Sequence, residues 1–109
     1  MDPTRDRLLA ERARTVRRLA ELTGDFREIV DASRDTNADD EHDPEGATIA
    51  FERSHVATLV AQARTQIEEL DAALSRVDAG TYGVCERCGR PIDPARLEVR
   101  PTARTCVAC

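Results

Sequence analysis

Four cysteines in two close pairs, Cys85-x2-Cys88 and Cys106-x2-Cys109 with seventeen residues between them, constrain this chain more than any other feature. A two-residue gap lets a tight turn aim two sulfurs at one point, and two such turns supply the corners of a tetrahedral site. Gly89, directly after the second cysteine, is free to take φ > 0 and leave backbone N–H groups facing sulfur. Four thiolates leave no open position for water or substrate. The pattern therefore predicts one structural Zn2+ held by Cys85, Cys88, Cys106 and Cys109, not a catalytic metal. Disulfides compete, but they are disfavoured where thiols stay reduced. A redox CxxC pair would sit at a helix N-terminus in a βαβ setting that this chain lacks. A rubredoxin-type iron centre uses similar spacing, but the module offers one aromatic, Tyr82, to shield a redox ion. Zinc is preferred over all three.

The reduced compartment is itself read from the sequence. No apolar run approaches the roughly eighteen residues of a membrane span. The N-terminal stretch MDPTRDRLLAERAR carries charges where a secretory signal needs an apolar segment. A cytoplasmic chain with no membrane partner is expected.

Upstream of the cysteines the pattern is helical. Ile49, Arg53, Val56, Val60, Ala63, Ile67, Leu70, Leu74 and Val77 follow alternating spacings of four and three, with Arg53 the one polar exception. A sustained 3.5-residue repeat is a coiled-coil seam, and Gly80 stands where a C′ glycine would end the helix. At ~1.5 Å per residue the predicted helix is roughly 45 Å long. Leu8, Arg12, Thr15, Leu19, Leu22, Phe26, Ile29 and Ser33 repeat the spacing, with Leu9, Ala13, Val16, Ala20 and Val30 widening the apolar face. Asp2-Pro3 reads as an N-cap with proline at the first helical position. Gly24 is the weak point, costing ~1 kcal/mol against alanine, yet a continuous helix is expected. Two seams of matching length joined by a short connection fold most simply as an antiparallel hairpin. The expected class is all-α: a long antiparallel coiled-coil helical hairpin over residues 1–79, followed by a small C-terminal four-cysteine zinc finger over 80–109. Pro44 and Gly46 are expected to end any helix between the seams.

That connection, residues 35–46, holds six acids and no Lys or Arg. Asp35-x-Asn37-x-Asp39 opens like a calcium loop, but Asp40 stands where glycine is needed and Gly46 where a bidentate glutamate belongs. His42 has no second histidine and no rigid framework to orient it as an acid–base centre, so no enzyme is predicted. Residues 1–79 carry 11 Arg against 18 acids, and residues 80–109 carry 5 Arg against 3 acids. With no basic stripe to release counterions, direct DNA binding is not expected, and a protein is the expected partner. A carboxylate cluster at the end of a stiff rod can be pushed into a narrow channel toward a bound Mg2+ or basic side chains.

Gly80-Thr-Tyr82-Gly83-Val-Cys85-Glu-Arg-Cys88-Gly89, followed by Arg96-Leu97 and Pro101-Thr-Ala103-Arg-Thr-Cys106-Val-Ala-Cys109, resembles the DksA/TraR C4-type zinc finger family. The resemblance implies a cytoplasmic transcription regulator that binds RNA polymerase, inserting the hairpin into the secondary channel so that acidic tip residues approach the catalytic Mg2+. On that reading the effector tip is Asp39, Asp40, Asp43 and Glu45. The family's tip motif is D-x-x-D-x-A; here Asp40 and Asp43 keep the spacing, Glu45 replaces the alanine, and Ala47 stands two residues later. Long members continue beyond the last cysteine into a C-terminal helix, whereas this sequence ends at Cys109. With no lysine in the chain, residue types that long members use for the alarmone are missing, and no dependence on ppGpp is expected. The competing function is a zinc-stapled coiled-coil adaptor that binds another protein or itself. A metal-dependent hydrolase using the acidic tip ranks last.

Overall fold

In the computed structural model, residues 3–35 and 44–109 are described. Their helices are, in order, α1 (Pro3–Asp35), α2 (Pro44–Ala79) and the short α3 (Pro94–Val99). Among the described residues the only extended pairing is an isolated antiparallel bridge between Val84 and Pro91. The fold is all-α, a helical hairpin with four cysteines gathered in its C-terminal module.

α1 begins with its proline in place and runs through Gly24 without a break. α2 begins at Pro44 and includes Gly46, so these residues start a helix where the sequence suggested they would end one. Proline at the first helical position has its φ already set and gives up an N–H that would be unpaired there anyway. The far end stops as expected. Gly80 has φ +76°, its N–H donates to Val77 C=O at 3.1 Å, and Thr81 N–H donates to Arg76 C=O at 2.9 Å. This pair of bonds is a Schellman cap.

Two compact units make up the chain: Met1–Ala13 with Ile67–Cys109, and Arg14–Gln66. In the first, Leu8, Leu70 and Ala73 form the buried cluster, and Leu74, Val77 and Tyr82 pack against it. Arg5 pairs with Asp78 at 3.0 Å and Arg12 with Asp71 at 2.6 Å. From one pair to the next the chain advances seven residues on α1 and retreats seven on α2, which defines antiparallel helices in heptad register. These exposed pairs select register more than they add stability. Asp71 also holds the Arg12 guanidinium above its usual pKa through a hydrogen bond and its charge. In the second unit Thr15 and Ala63 are buried and Leu19, Leu22, Val56, Leu59 and Val60 are half-buried.

Seam positions Leu8, Thr15, Ala63 and Leu70 are thus inside, and Arg53 is exposed. The adjoining α1 stripe differs from expectation: Leu9 is 43% and Val16 40% exposed, because a single partner helix covers only one side of α1. Ala73, off the predicted seam, is fully buried; its small side chain admits close approach.

Two stability measurements check this packing. A Cβ at Gly24 would meet nothing within 4 Å, so Gly24→Ala should stabilise the zinc-loaded protein by about 1 kcal/mol and raise Tm in thermal denaturation followed by circular dichroism. Leu70→Ala, at a site 1% exposed, should destabilise it by about 2–5 kcal/mol.

Candidate metal centre

The finger begins where the Schellman cap turns the chain away from α2. Gly83 (φ +80°) and Gly89 (φ +72°) bend the backbone around the first cysteine pair. Gly89 N–H donates to Cys85 C=O at 2.9 Å, and Cys85 N–H donates to Arg90 C=O at 2.9 Å. The second pair closes in a tighter turn, with Cys109 N–H donating to Cys106 C=O at 3.1 Å. A bond from Glu86 N–H to Arg104 C=O at 2.9 Å ties the two turns together. Between them, Asp93 caps α3 by accepting from Ala95 N–H at 2.9 Å, with Pro94 next. Arg96 reaches from α3 to Thr105 C=O at 3.0 Å, fixing the approach to Cys106.

These turns bring the ligand sulfurs of Cys85, Cys88, Cys106 and Cys109 within 4.8 Å of one another. Cys88 and Cys106 sulfurs lie 3.7 Å apart and those of Cys106 and Cys109 3.5 Å apart. Tetrahedral zinc with Zn–S bonds of about 2.3 Å separates neighbouring sulfurs by about 3.8 Å. The cage therefore has the size that zinc requires, and all four thiols are free of disulfides. Cys85 is buried at 1% exposure. Backbone N–H groups, first that of Cys106 and then that of Cys88, point at its sulfur and hold its thiol pKa down to about 6. Cys109 is pushed up to about 12, first by its side-chain hydrogen bond with Cys106. The Cys106 thiol pKa is lowered as well, first by its side-chain hydrogen bond with Cys109, and four thiolates together need a cation to neutralise them.

The centre is joined to the helices of its own unit. Tyr82 packs on the Leu8–Leu70–Ala73 cluster and its hydroxyl donates to Pro101 C=O at 2.8 Å. Half-buried Arg76 of α2 donates to Thr102 C=O at 3.4 Å; burial and then the charge of Arg104 lower its pKa. Arg7 of α1 donates to Glu98 C=O. Ile92 and Ala103 fill the finger's interior.

The expected tip residues Asp39, Asp40 and Asp43 lie outside the described residues, and Glu45 is described only as part of the first turn of α2. Sequence reasoning did not identify α3 or the Tyr82–Pro101 bond. The Asp93-Pro94 pair, an N-cap followed by a first-turn proline, was the available signal for the helix; nothing local foretells the partner of the tyrosine hydroxyl.

A family model described as the prokaryotic dksA/traR C4-type zinc finger matches residues 80–109. The structure of transcription factor DksA2 from Pseudomonas aeruginosa matches with a TM-score of 0.81 at 30% identity, over 96% of this chain and 75% of that one. The chain belongs to the DksA/TraR C4-type zinc finger family. In that family four clustered cysteines mean one structural zinc ion. The RNA polymerase-binding transcription factor DksA of Caulobacter vibrioides is 58% identical over 40 residues, which are 37% of this chain and 28% of that protein. General stress protein 16O of Bacillus subtilis is 34% identical over 91 residues, covering 80% of this chain and 56% of that protein. The matches thus span 28% of the first of these curated relatives and 56% of the second. No helix among the described residues is long and apolar enough to cross a membrane.

Outer partners of a metal site contribute roughly 10–100-fold in affinity. Cys85→Ser removes a ligand outright and should weaken zinc by more than that, read by a chelator competition assay.

Proposed function

We propose that this chain is a non-catalytic cytoplasmic transcription regulator that binds RNA polymerase by entering its secondary channel, with the acidic connection between α1 and α2 as its effector end. The likeness to transcription factor DksA2 over 96% of the chain carries this reading. Relatives named RNA polymerase-binding transcription factor DksA, from Caulobacter vibrioides and Haemophilus influenzae, add to it. Cys85, Cys88, Cys106 and Cys109 hold the zinc. Asp40 and Asp43 are the principal effector residues, with Asp39 and Glu45 beside them, and the hairpin supplies the reach. The acidic balance of residues 1–79 favours a protein channel lined with cations over the phosphate backbone of DNA. No response to ppGpp is included in this reading.

The test separates binding from effect. Asp40→Asn combined with Asp43→Asn should leave affinity for core RNA polymerase within about twofold of wild type, because most of the contact surface is unchanged. The same variant should lose the wild-type effect on open-complex lifetime in a single-round transcription assay. An unchanged effect would remove the channel reading and leave a zinc-stapled adaptor.

A further inference from the structure

Four thiolates outweigh one Zn2+ by two negative charges, and part of that excess sits on the buried sulfur of Cys85. Of the arginines in the finger, Arg87, Arg90 and Arg100 are exposed, and Arg104 lies 3.8 Å from the Glu86 carboxylate. Arg96 is different. It is half-buried in α3, no carboxylate among the described residues pairs with it, and its Nε–H donates to Thr105 C=O at 3.0 Å. That carbonyl shares a peptide unit with the Cys106 N–H, which points at the Cys85 sulfur. In a trans peptide the C=O and the N–H face opposite ways, so this one unit stands between the Arg96 guanidinium on one side and the Cys85 sulfur on the other. A cation on the carbonyl oxygen draws electrons from the amide and makes its N–H a stronger donor.

We propose that Arg96 is a positioning residue of the metal centre, polarising the Thr105–Cys106 peptide so that its N–H stabilises the Cys85 thiolate in the zinc-bound cage. The inference rests on the four-cysteine centre and is independent of the function proposed above. The fold holds Arg96 in place from both sides. Before it, Asp93 accepts from Ala95 N–H at 2.9 Å and sets the start of α3. After it, Leu97 closes over Gly83, where a Cβ would lie 3.5 Å from the leucine side chain. A guanidinium suits the role because it stays charged at any working pH, so the peptide is polarised whenever the finger is folded. The excess charge on sulfur is thus met by a group that never touches the metal.

Zinc affinity of the full chain by chelator competition tests this, with circular dichroism at saturating zinc to show that each variant folds. Arg96→Met, which removes donor and charge, should weaken zinc by about 10–100-fold. Arg96→Lys keeps both and should stay within about threefold of wild type. Arg96→Gln places a neutral amide nitrogen where Nε stands, and it should lose as much as Arg96→Met. Arg100→Gln, which removes an equal charge from the exposed C-cap of α3, should stay within about twofold. In cobalt-loaded protein the sulfur-to-metal charge-transfer band should move to longer wavelength in Arg96→Met and Arg96→Gln alone, because a weaker N–H donor leaves the sulfur lone pairs higher in energy. If Arg96→Met does not fold, the comparison of Arg96→Gln with Arg96→Lys decides. Wild-type affinity and an unmoved band in Arg96→Gln would reduce Arg96 to a structural tie and overturn the inference. So would an Arg96→Lys variant as weak as Arg96→Gln, or an equal loss in Arg100→Gln.

Discussion

Four sulfurs that must meet at one ion govern the C-terminal part of this chain. A thiolate cluster is self-repelling without a cation, and the turns that form it need residues at positive φ, which Gly83 and Gly89 supply. Once closed, the cluster fixes both ends of the segment running through α3 and places Pro101 where Tyr82 can reach its carbonyl. Tyr82 is also part of the apolar cluster at the base of the hairpin. Metal coordination, finger and helix base therefore form one cooperative unit. A buried cluster of Leu8, Leu70 and Ala73 is too small to stabilise such a unit alone, which is why a staple is required.

The helices obey a different constraint. Beyond the base that meets the finger, each is covered by the other alone among the described residues, so each buries one narrow stripe. Heptad spacing sets the stripe, and the two Arg–Asp pairs, seven residues apart on both helices, fix direction and register. The surface left outside is available for function. Among the described residues Arg14, Arg17, Arg18 and Glu21 are exposed on α1 and Phe51 on α2.

Much of this is legible in the residues because the governing interactions are local or periodic. The two CxxC pairs announce a metal cage, the heptads announce paired helices, and Gly80 announces the end of α2. The features that the sequence obscures depend on relations between distant residues. Ala73 is buried off the seam through close packing that no heptad letter encodes, and Leu9 and Val16 look like core residues but are 43% and 40% exposed. Pro44 and Gly46 carry the signature of a break and yet begin a helix, since a first-turn proline and a connection proline are told apart only by whether the residues C-terminal to them continue as a helix. The centre shows the same division: its ligands are readable from spacing, while the Tyr82–Pro101 bond joining it to the helices is tertiary.

The dependence of the helix base on the metal centre is best measured by amide hydrogen exchange on zinc-loaded and chelator-stripped protein. Loss of zinc should remove protection from the finger and, together with it, from residues 67–79 of α2 and 3–13 of α1. A stripped protein whose finger exchanges freely while those helical segments keep their protection would contradict the cooperative unit.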